Sequence, residues 1–287
     1  MIRYIIHNRL GNQMFTYAFA KAYSRRCSDC NYIFSYLGSL TYFKLSFRDR
    51  YVNIILKFWF LIKKKLGVEV SDISLRDCEL DYSNFSLKTK GSSDVIGTFQ
   101  SEKYFLNVKN EIFNWFKLKR KYRIQFDRKY KTLFENNTVI AIHIRRTDYL
   151  NFIGELKIGG PDLTLPMRYY DECLKLIYQL EISQKKSFIL LSDDTEFAKN
   201  NLSDKIKQMF PNDDVLVSNN NEIVDFQIIL NADYCIIANS TFSWWATYLN
   251  IKKKKAYVPK FFLGFKIKRE YPINVIPDDW IKVNVTE

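Results

Sequence analysis

Two histidines, His7 and His143, five cysteines and no Asp-x-Asp pair are all that these 287 residues offer toward a metal site. Without Asp-x-Asp the usual carboxylate clasp for a metal-bound diphosphate is missing, and a zinc centre would need a second Cys pair or more His. Cys27 and Cys30 make a lone C-x-x-C, while Cys78, Cys173 and Cys235 are scattered. That pattern reads as reduced thiols and excludes a secreted disulfide framework. Walker A and G-x-G-x-x-G signatures are both absent. The longest apolar stretch, Tyr51 to Ile62, is broken by Asn53 and Lys57; a bilayer span takes about 20 residues. The first residues, MIRYIIHNRL, read as a strand entering a loop, with no secretory leader.

What is present is apolar and basic. Hydrophobic residues make up 47% of the chain and aromatics 16%, enough to fill two cores. The formal net charge is +13, which favours anionic partners. The runs Lys63–Lys65 and Lys252–Lys255 lie far apart and in no nucleic-acid motif, so nucleic acid is not an expected partner. The apolar-plus-basic segment from Tyr51 to Lys65 suits a peripheral contact with a membrane surface.

Strand and helix patterns alternate along much of the chain. Arg3–His7 reads as a strand, followed by a loop around Gly11 and Asn12. Met14, Phe15, Ala18, Phe19 and Ala22 then recur at helical spacing. Tyr32–Phe34 and Val95–Phe99 read as strands, Tyr104–Phe116 as a helix, and the polar stretch Phe126–Asn137 as the domain crossover. Beyond it, strands are expected at Thr138–Ile144, Ser187–Leu191, Val215–Val217, Tyr234–Ala238 and Lys255–Val258. Helices are expected at Tyr169–Leu180, Thr195–Leu202 (capped by Thr195), Val224–Leu230 and Phe242–Leu249. Such alternation argues for a parallel sheet covered on both faces. The expected organisation is an N-terminal domain over 1–136, a second over 137–265, and a tail over 266–287 packing across them.

Ligands in open α/β sheets bind beyond the carboxyl ends of the strands, and three polar groups stand at such ends. His143, Arg145, Arg146 and Asp148 follow the first strand of the second domain. Paired arginines are costly to bury unless paired or liganded, and a guanidinium fork matches phosphate oxygens. The alternative is that Arg146 pairs with Asp148 and only shapes the loop. Ser192, Asp193 and Asp194 follow the next strand, suited either to a base edge or ribose or to capping the next helix. Asn239, Ser240, Thr241 and Ser243 open a helix, where hydroxyls and backbone N–H groups make an anion site or a cap. Trp244 and Trp245 read as core. Gly11, Asn12 and Gln13 follow the first strand, where Gly11 permits close backbone approach.

Four segments together resemble glycosyltransferase family 11, the bacterial α-1,2-fucosyltransferases: Leu10–Lys21 (LGNQMFTYAFAK), Gly97–Phe105 (GTFQSEKYF), His143–Tyr149 (HIRRTDY) and Ile237–Leu249 (IANSTFSWWATYL). They occur in order and span nearly the whole chain. Where that family usually has two glycines before Leu-Gly-Asn, this chain has Asn8 and Arg9. The resemblance implies an α/β, GT-B-like fold: two Rossmann-like domains facing across a cleft. It also implies inverting transfer of L-fucose from GDP-β-L-fucose, with no metal or other cofactor, to the 2-hydroxyl of galactose in an oligosaccharide or lipid-linked glycan acceptor.

On that resemblance Arg145 holds the β-phosphate, and His143 and Arg146 lie against the donor. Ser192 and Asp194 meet guanine or ribose, and Asn239, Ser240, Thr241 and Ser243 meet the diphosphate. Gly11, Asn12 and Gln13 face fucose and acceptor. Asp148 and Glu155 are rival general bases. A cytoplasmic enzyme of O-antigen or surface-polysaccharide synthesis, peripheral on the inner membrane, is the matching setting. Acceptor choice is expected from the unmatched stretch 39–90. The rivals are a non-catalytic sugar- or nucleotide-binding module, a nucleic-acid-binding protein, and a GT-B enzyme using another nucleotide sugar.

Overall fold

β1 (Ile2–Tyr4) and β2 (Tyr32–Phe34) are short apolar runs that flank α1 (Leu10–Arg26), a strand–helix–strand start. The computed structural model describes residues 1–26, 31–67, 70–74, 92–152 and 158–286; Cys27, Cys30, Cys78 and the candidate base Glu155 lie outside them. After β2 come α2 (Asn53–Lys65), β3 (Val70–Ser74) and β4 (Ser92–Ile96). The four strands pair in parallel in the order β2-β1-β4-β3. α3 (Lys109–Trp115) follows two short 3-10 turns. The chain divides into two units, Met1–Lys119 with Pro272–Val275, and Arg120–Tyr271 with Ile276–Glu287.

The second unit opens with α4 (Arg120–Asn136) and β5 (Thr138–Ile144). Then come α5 (Met167–Tyr178), β6 (Lys186–Ser192), α6 (Thr195–Ala198), α7 (Asp204–Met209) and β7 (Asp214–Val217). The last elements are α8 (Glu222–Asn231), β8 (Tyr234–Ile236), α9 (Thr241–Tyr248), β9 (Lys255–Pro259) and β10 (Ile281–Val283). Its six strands are parallel, in the order β10-β9-β8-β5-β6-β7. Every residue of β5 is buried, as expected of a central parallel strand with helices on both faces. Tyr169, Tyr170, Cys173, Leu174 and Ile177 of α5 recur at helical spacing and pack with Ile140, Ile142, Phe188 and Leu190 of the sheet. Trp244 and Trp245 are wholly buried, with Trp244 stacked on Tyr248 at 4.7 Å, so both serve the core.

Several boundaries differ from the sequence expectation for identifiable reasons. Gly11, Asn12 and Gln13 form the first turn of α1 instead of a loop. β4 ends at Ile96 because Phe99 adopts a left-handed backbone, φ 52°, and lays its ring against Gly97. A Cβ at Gly97 would come within 2.7 Å of that ring. The expected crossover 126–137 falls inside α4, whose Phe126, Tyr130 and Phe134 form one aromatic row. The expected tail is divided between the units, and it contributes β10 to the second sheet. The expected cap Thr195 is replaced by Asp194, whose Oδ1 accepts the Phe197 N–H at 3.0 Å.

Candidate active site

The strand order explains why three separate sequence segments meet. From β5 the chain runs to β6 and β7 on one side, then crosses back to β8, β9 and β10 on the other. The carboxyl end of β5, between β6 and β8, is therefore a topological switch point, where open α/β sheets form their ligand crevices. His143 to Asp148 leave β5, Ser192 to Asp194 leave β6, and Asn239 to Ser243 leave β8. The loops are tied together: Tyr149 donates its hydroxyl to the Asn239 carbonyl at 3.0 Å.

Asp193 is the hub. It accepts the Thr147 hydroxyl at 2.5 Å and the Arg146 backbone N–H at 2.9 Å, and it pairs with Arg145 at 3.2 Å. Burial alone pushes its carboxyl up, but the Thr147 hydroxyl, the Arg145 charge and the Arg146 amide outweigh that and hold it below the ordinary value. The resemblance points to Asp194 rather than Asp193, and nothing in the order of two aspartates after a strand tells hub from cap. Asp194 is the cap, and its other oxygen meets Arg146 at 3.3 Å.

Arg145 is 12% exposed and bridges two carboxylates, Asp193 and, at 2.6 Å, Asp148. This corrects the alternative in which Arg146 pairs with Asp148: Arg146 turns to Asp194 and lies over the Phe197 ring at 3.7 Å. The reason is local. β5 stops at Ile144 and the chain enters a 3-10 turn at Thr147–Tyr149, which folds Asp148 back onto Arg145 three residues earlier.

His143 is buried beside Phe242, with ring centroids 5.5 Å apart, and its Nδ1 has no hydrogen-bond partner among the described residues. Burial, and then the neighbouring Arg145 charge, lower its pKa from the ordinary 6.5 to about 3. The imidazole is therefore neutral and offers a hydrogen-bonding atom without positive charge. In the unfolded chain it takes up a proton near pH 6.5, so the stability it contributes is present above that pH. It declines as pH falls toward 3, by about 1.4 kcal/mol per pH unit. Comparing stability against pH for the wild type and His143→Asn is expected to show this slope in the wild type only.

Around α9, Asn239 donates its amide to the Leu163 carbonyl at 2.9 Å, while its Oδ1 is buried without a partner among the described residues. Ser240 sits at the N-cap without a side-chain capping bond. Ser243 is buried and donates within its own turn, to the Ser240 carbonyl at 3.2 Å. Thr241 is half-buried at the helix start, where backbone N–H groups lack intrahelical acceptors. Ser192 accepts the Asp194 N–H at 3.0 Å. Within the described residues no group of three or more His, Cys, Asp or Glu is placed to hold a metal ion.

In the first unit, Asn12 and Gln13 also have defined partners. Gln100 donates to Asn12 Oδ1 at 2.9 Å and leaves its own buried Oε1 without a partner among the described residues. Gln13 donates to the Asn8 carbonyl at 2.8 Å and accepts the Ser39 N–H at 2.9 Å, so its buried amide braces two loops. Gln100 was not singled out from the sequence. The signal available was its place in GTFQSEKYF.

Compared with known proteins, residues 8–264 match the model of glycosyl transferase family 11. The chain belongs to glycosyl transferase family 11. An Escherichia coli alpha-1,2-colitosyltransferase is 34% identical over 56% of this chain and 52% of its own length. The Escherichia coli O-antigen biosynthesis glycosyltransferase WbnK is 33% identical over 47% of this chain and 42% of its own. The matched part thus spans about half the length of each relative. Among solved structures, the fucosyltransferase NodZ from Bradyrhizobium superposes with a TM-score of 0.52 at 13% identity, covering 88% of this chain and 94% of that one. A variant of Arabidopsis thaliana FUT1 in complex with GDP gives 0.54 at 14%, covering 90% and 69%. At these identities the fold is what is shared: the α/β, GT-B-like fold of those fucosyltransferases. The family 11 departure at Asn8 has a backbone correlate, since Asn8 adopts φ 61°. Asparagine tolerates that left-handed conformation better than other residues with a Cβ.

Proposed function

We propose that this chain transfers L-fucose from GDP-β-L-fucose to a glycan hydroxyl, with inversion and without a metal ion. The 2-hydroxyl of galactose is the first acceptor to test. The observation that carries the proposal is Arg145, a nearly buried guanidinium held by two carboxylates at the switch point of a family 11 sheet. NodZ, which shares the fold, has been crystallised with GDP and soaked with GDP-fucose, which supports a GDP-sugar donor.

In the reaction the acceptor oxygen forms a bond to fucose C1 while the bond from C1 to the β-phosphate oxygen breaks. The acceptor proton passes to a base and GDP leaves with the electron pair. Negative charge grows on the β-phosphate, and Arg145 stabilises it most in the transition state. The absent Asp-x-Asp leaves that neutralisation to arginine. Asn239, Ser240, Thr241 and the first-turn amides of α9 hold the diphosphate; Ser243 shapes the turn. Neutral His143 accepts or donates a hydrogen bond against the nucleotide, Ser192 lies beside the ribose, and Arg146 with Asp194 frames that edge. Gly11 and Asn12 serve the acceptor side, with Gln13 as their brace. Of the two candidate bases, Asp148 is engaged by Arg145, which favours Glu155. The acceptor is an oligosaccharide or a lipid-linked O-antigen unit, met in the cytoplasm at the inner membrane.

A second reading keeps the chemistry and changes the sugar. The colitosyltransferase relative favours colitose, which is fucose without its 3-hydroxyl. Measuring GDP release from GDP-fucose and GDP-colitose, with galactoside acceptors and EDTA, separates the two. Acceptor-dependent release with GDP-fucose in EDTA is the expected result. A kcat/KM at least tenfold higher with GDP-colitose would move the donor to colitose. No release with either, and no calorimetric binding of GDP-fucose, would overturn the transferase reading.

A further inference from the structure

The helix α2 is apolar on two opposite faces, and the first unit uses only one. On the inner face, the Asn53 amide accepts the Phe34 N–H at 2.7 Å and donates to the Phe34 carbonyl at 3.3 Å. Phe60 is buried beneath the Arg3 guanidinium, 4.7 Å from the ring centroid, and Lys57 donates to the Ser35 carbonyl. The residues leading into the helix are fixed by the buried Asp49. A helix so anchored has no need of its outer face for folding.

That outer face nonetheless gathers several of the exposed large hydrophobic side chains of the described residues. Ile54, Ile55, Phe58 and Trp59 are 63%, 59%, 63% and 56% exposed, and the i, i+1, i+4, i+5 spacing puts them on one stripe. Tyr51 extends the stripe toward the N-terminus, beside Phe47 at 5.1 Å, and Leu66 toward the C-terminus. Lys63, Lys64 and Lys65 occupy the last turn, all exposed. From Arg50 to Leu66 the chain carries Arg50, Lys57 and these three lysines and no acidic residue.

We propose that the outer face of α2 docks on an anionic phospholipid bilayer, lying flat in the interface with its lysines among the headgroups. This goes beyond the proposed transfer reaction and does not depend on the donor. A bilayer meets both halves of the surface: the acyl boundary receives the aliphatic and aromatic stripe, and anionic headgroups receive the lysines. Trp59 and Tyr51 have the amphipathic rings that settle at this depth. A spanning role is excluded for this helix: its 13 residues reach about 20 Å, short of a ~30 Å hydrocarbon core. A second copy of the chain is a poor occupant, because the same face on the partner offers no acidic residue to meet these lysines.

The test uses the full chain and vesicles of phosphatidylethanolamine and phosphatidylglycerol (3:1), against vesicles of phosphatidylcholine alone. Trp115, Trp244, Trp245 and Trp280 are buried, so bromine-labelled acyl chains in the anionic vesicles should quench Trp59 selectively. The Trp59→Phe variant should lose that quenching. Co-sedimentation is expected with the anionic vesicles and not with phosphatidylcholine. The triple change Lys63→Gln, Lys64→Gln, Lys65→Gln should weaken partitioning by about a hundredfold, taking roughly fivefold per lysine. Phe58→Glu with Ile55→Glu should abolish it, while leaving GDP affinity measured by calorimetry unchanged, since both side chains are exposed. Failure to bind anionic vesicles overturns the proposal. So does binding that survives the double glutamate variant. Sedimentation showing a dimer of the wild type that the glutamates dissociate would give the face to a second copy instead. Vesicle binding by a wild type that releases no GDP from GDP-fucose would uphold this proposal and count against the transfer reading alone.

Discussion

Arg145→Ala is expected to lower kcat/KM by about 10² to 10³, equivalent to roughly 3–4 kcal/mol of lost transition-state stabilisation. The size follows from position: the guanidinium is 12% exposed and pre-aimed by Asp193 and Asp148, so little reorganisation is needed as charge develops. GDP affinity, measured by calorimetry, should fall less than the rate, because in the proposed complex the ground-state diphosphate would keep the α9 amides. Arg145→Lys keeps the charge but not the fork that spans two carboxylates, and should remain at least tenfold impaired. The folding penalty of Arg145→Ala is small, about 1–2 kcal/mol, since Asp148 is partly exposed and Asp193 retains a hydroxyl and an amide. Wild-type turnover in Arg145→Ala would remove the arginine from the chemistry.

Asp49→Ala is expected to be the most damaging single change to stability, about 3–5 kcal/mol. Asp49 is wholly buried in the first unit and accepts from Tyr17 at 2.7 Å, Ser46 at 2.7 Å, Lys21 at 2.9 Å and Tyr32 at 3.0 Å. Arg48 lies at 3.3 Å. Removing the carboxylate leaves the Lys21 ammonium, 13% exposed, facing the Tyr17 phenol and the Trp115 ring. Burial pushes the Asp49 carboxyl up, but Lys21 and the donated hydroxyls outweigh it, so its pKa lies below the ordinary 3.8. The sign is then that of a depressed acid: its stabilisation is full above about pH 4 and is lost as pH falls through its folded value. Calorimetric unfolding should show the loss in a transition of the first unit and little change in the second. A shift below 1 kcal/mol for Asp49→Ala would mean the hub is not holding the unit together.

Much of the second unit was legible because buried parallel strands are short continuous apolar runs. Thr138–Ile144 coincides with the observed strand and β6 to β9 fall within two residues of the expectation, while β10 was not expected. The first unit was harder. Its Val70–Ser74 strand is polar and its α2 is apolar on both faces, so neither shows the one-sided period that marks a half-buried element. Within the site, HIRRTDY and the Asn239 segment announced themselves as polar residues at strand ends. The hub role of Asp193, the place of Gln100 and the exchange of arginine partners did not, because these depend on how the chain turns after the strand stops.

By itself the sequence determined the family, the alternation of strand and helix, and which polar residues stand at strand ends. Those follow from local periodicity and from motifs whose residues are close in the chain. The tertiary structure decided which of those ends adjoin. Only the strand order β8-β5-β6 brings residues 143–148, 192–194 and 239–243 to one edge. Only packing decides that Asp193, and not its neighbour, sits where one carboxylate can hold a guanidinium, an amide and a hydroxyl together. Hydrogen bonds and ion pairs act over about 3 Å, and distances on that scale between residues 46 to 47 positions apart are set by the fold.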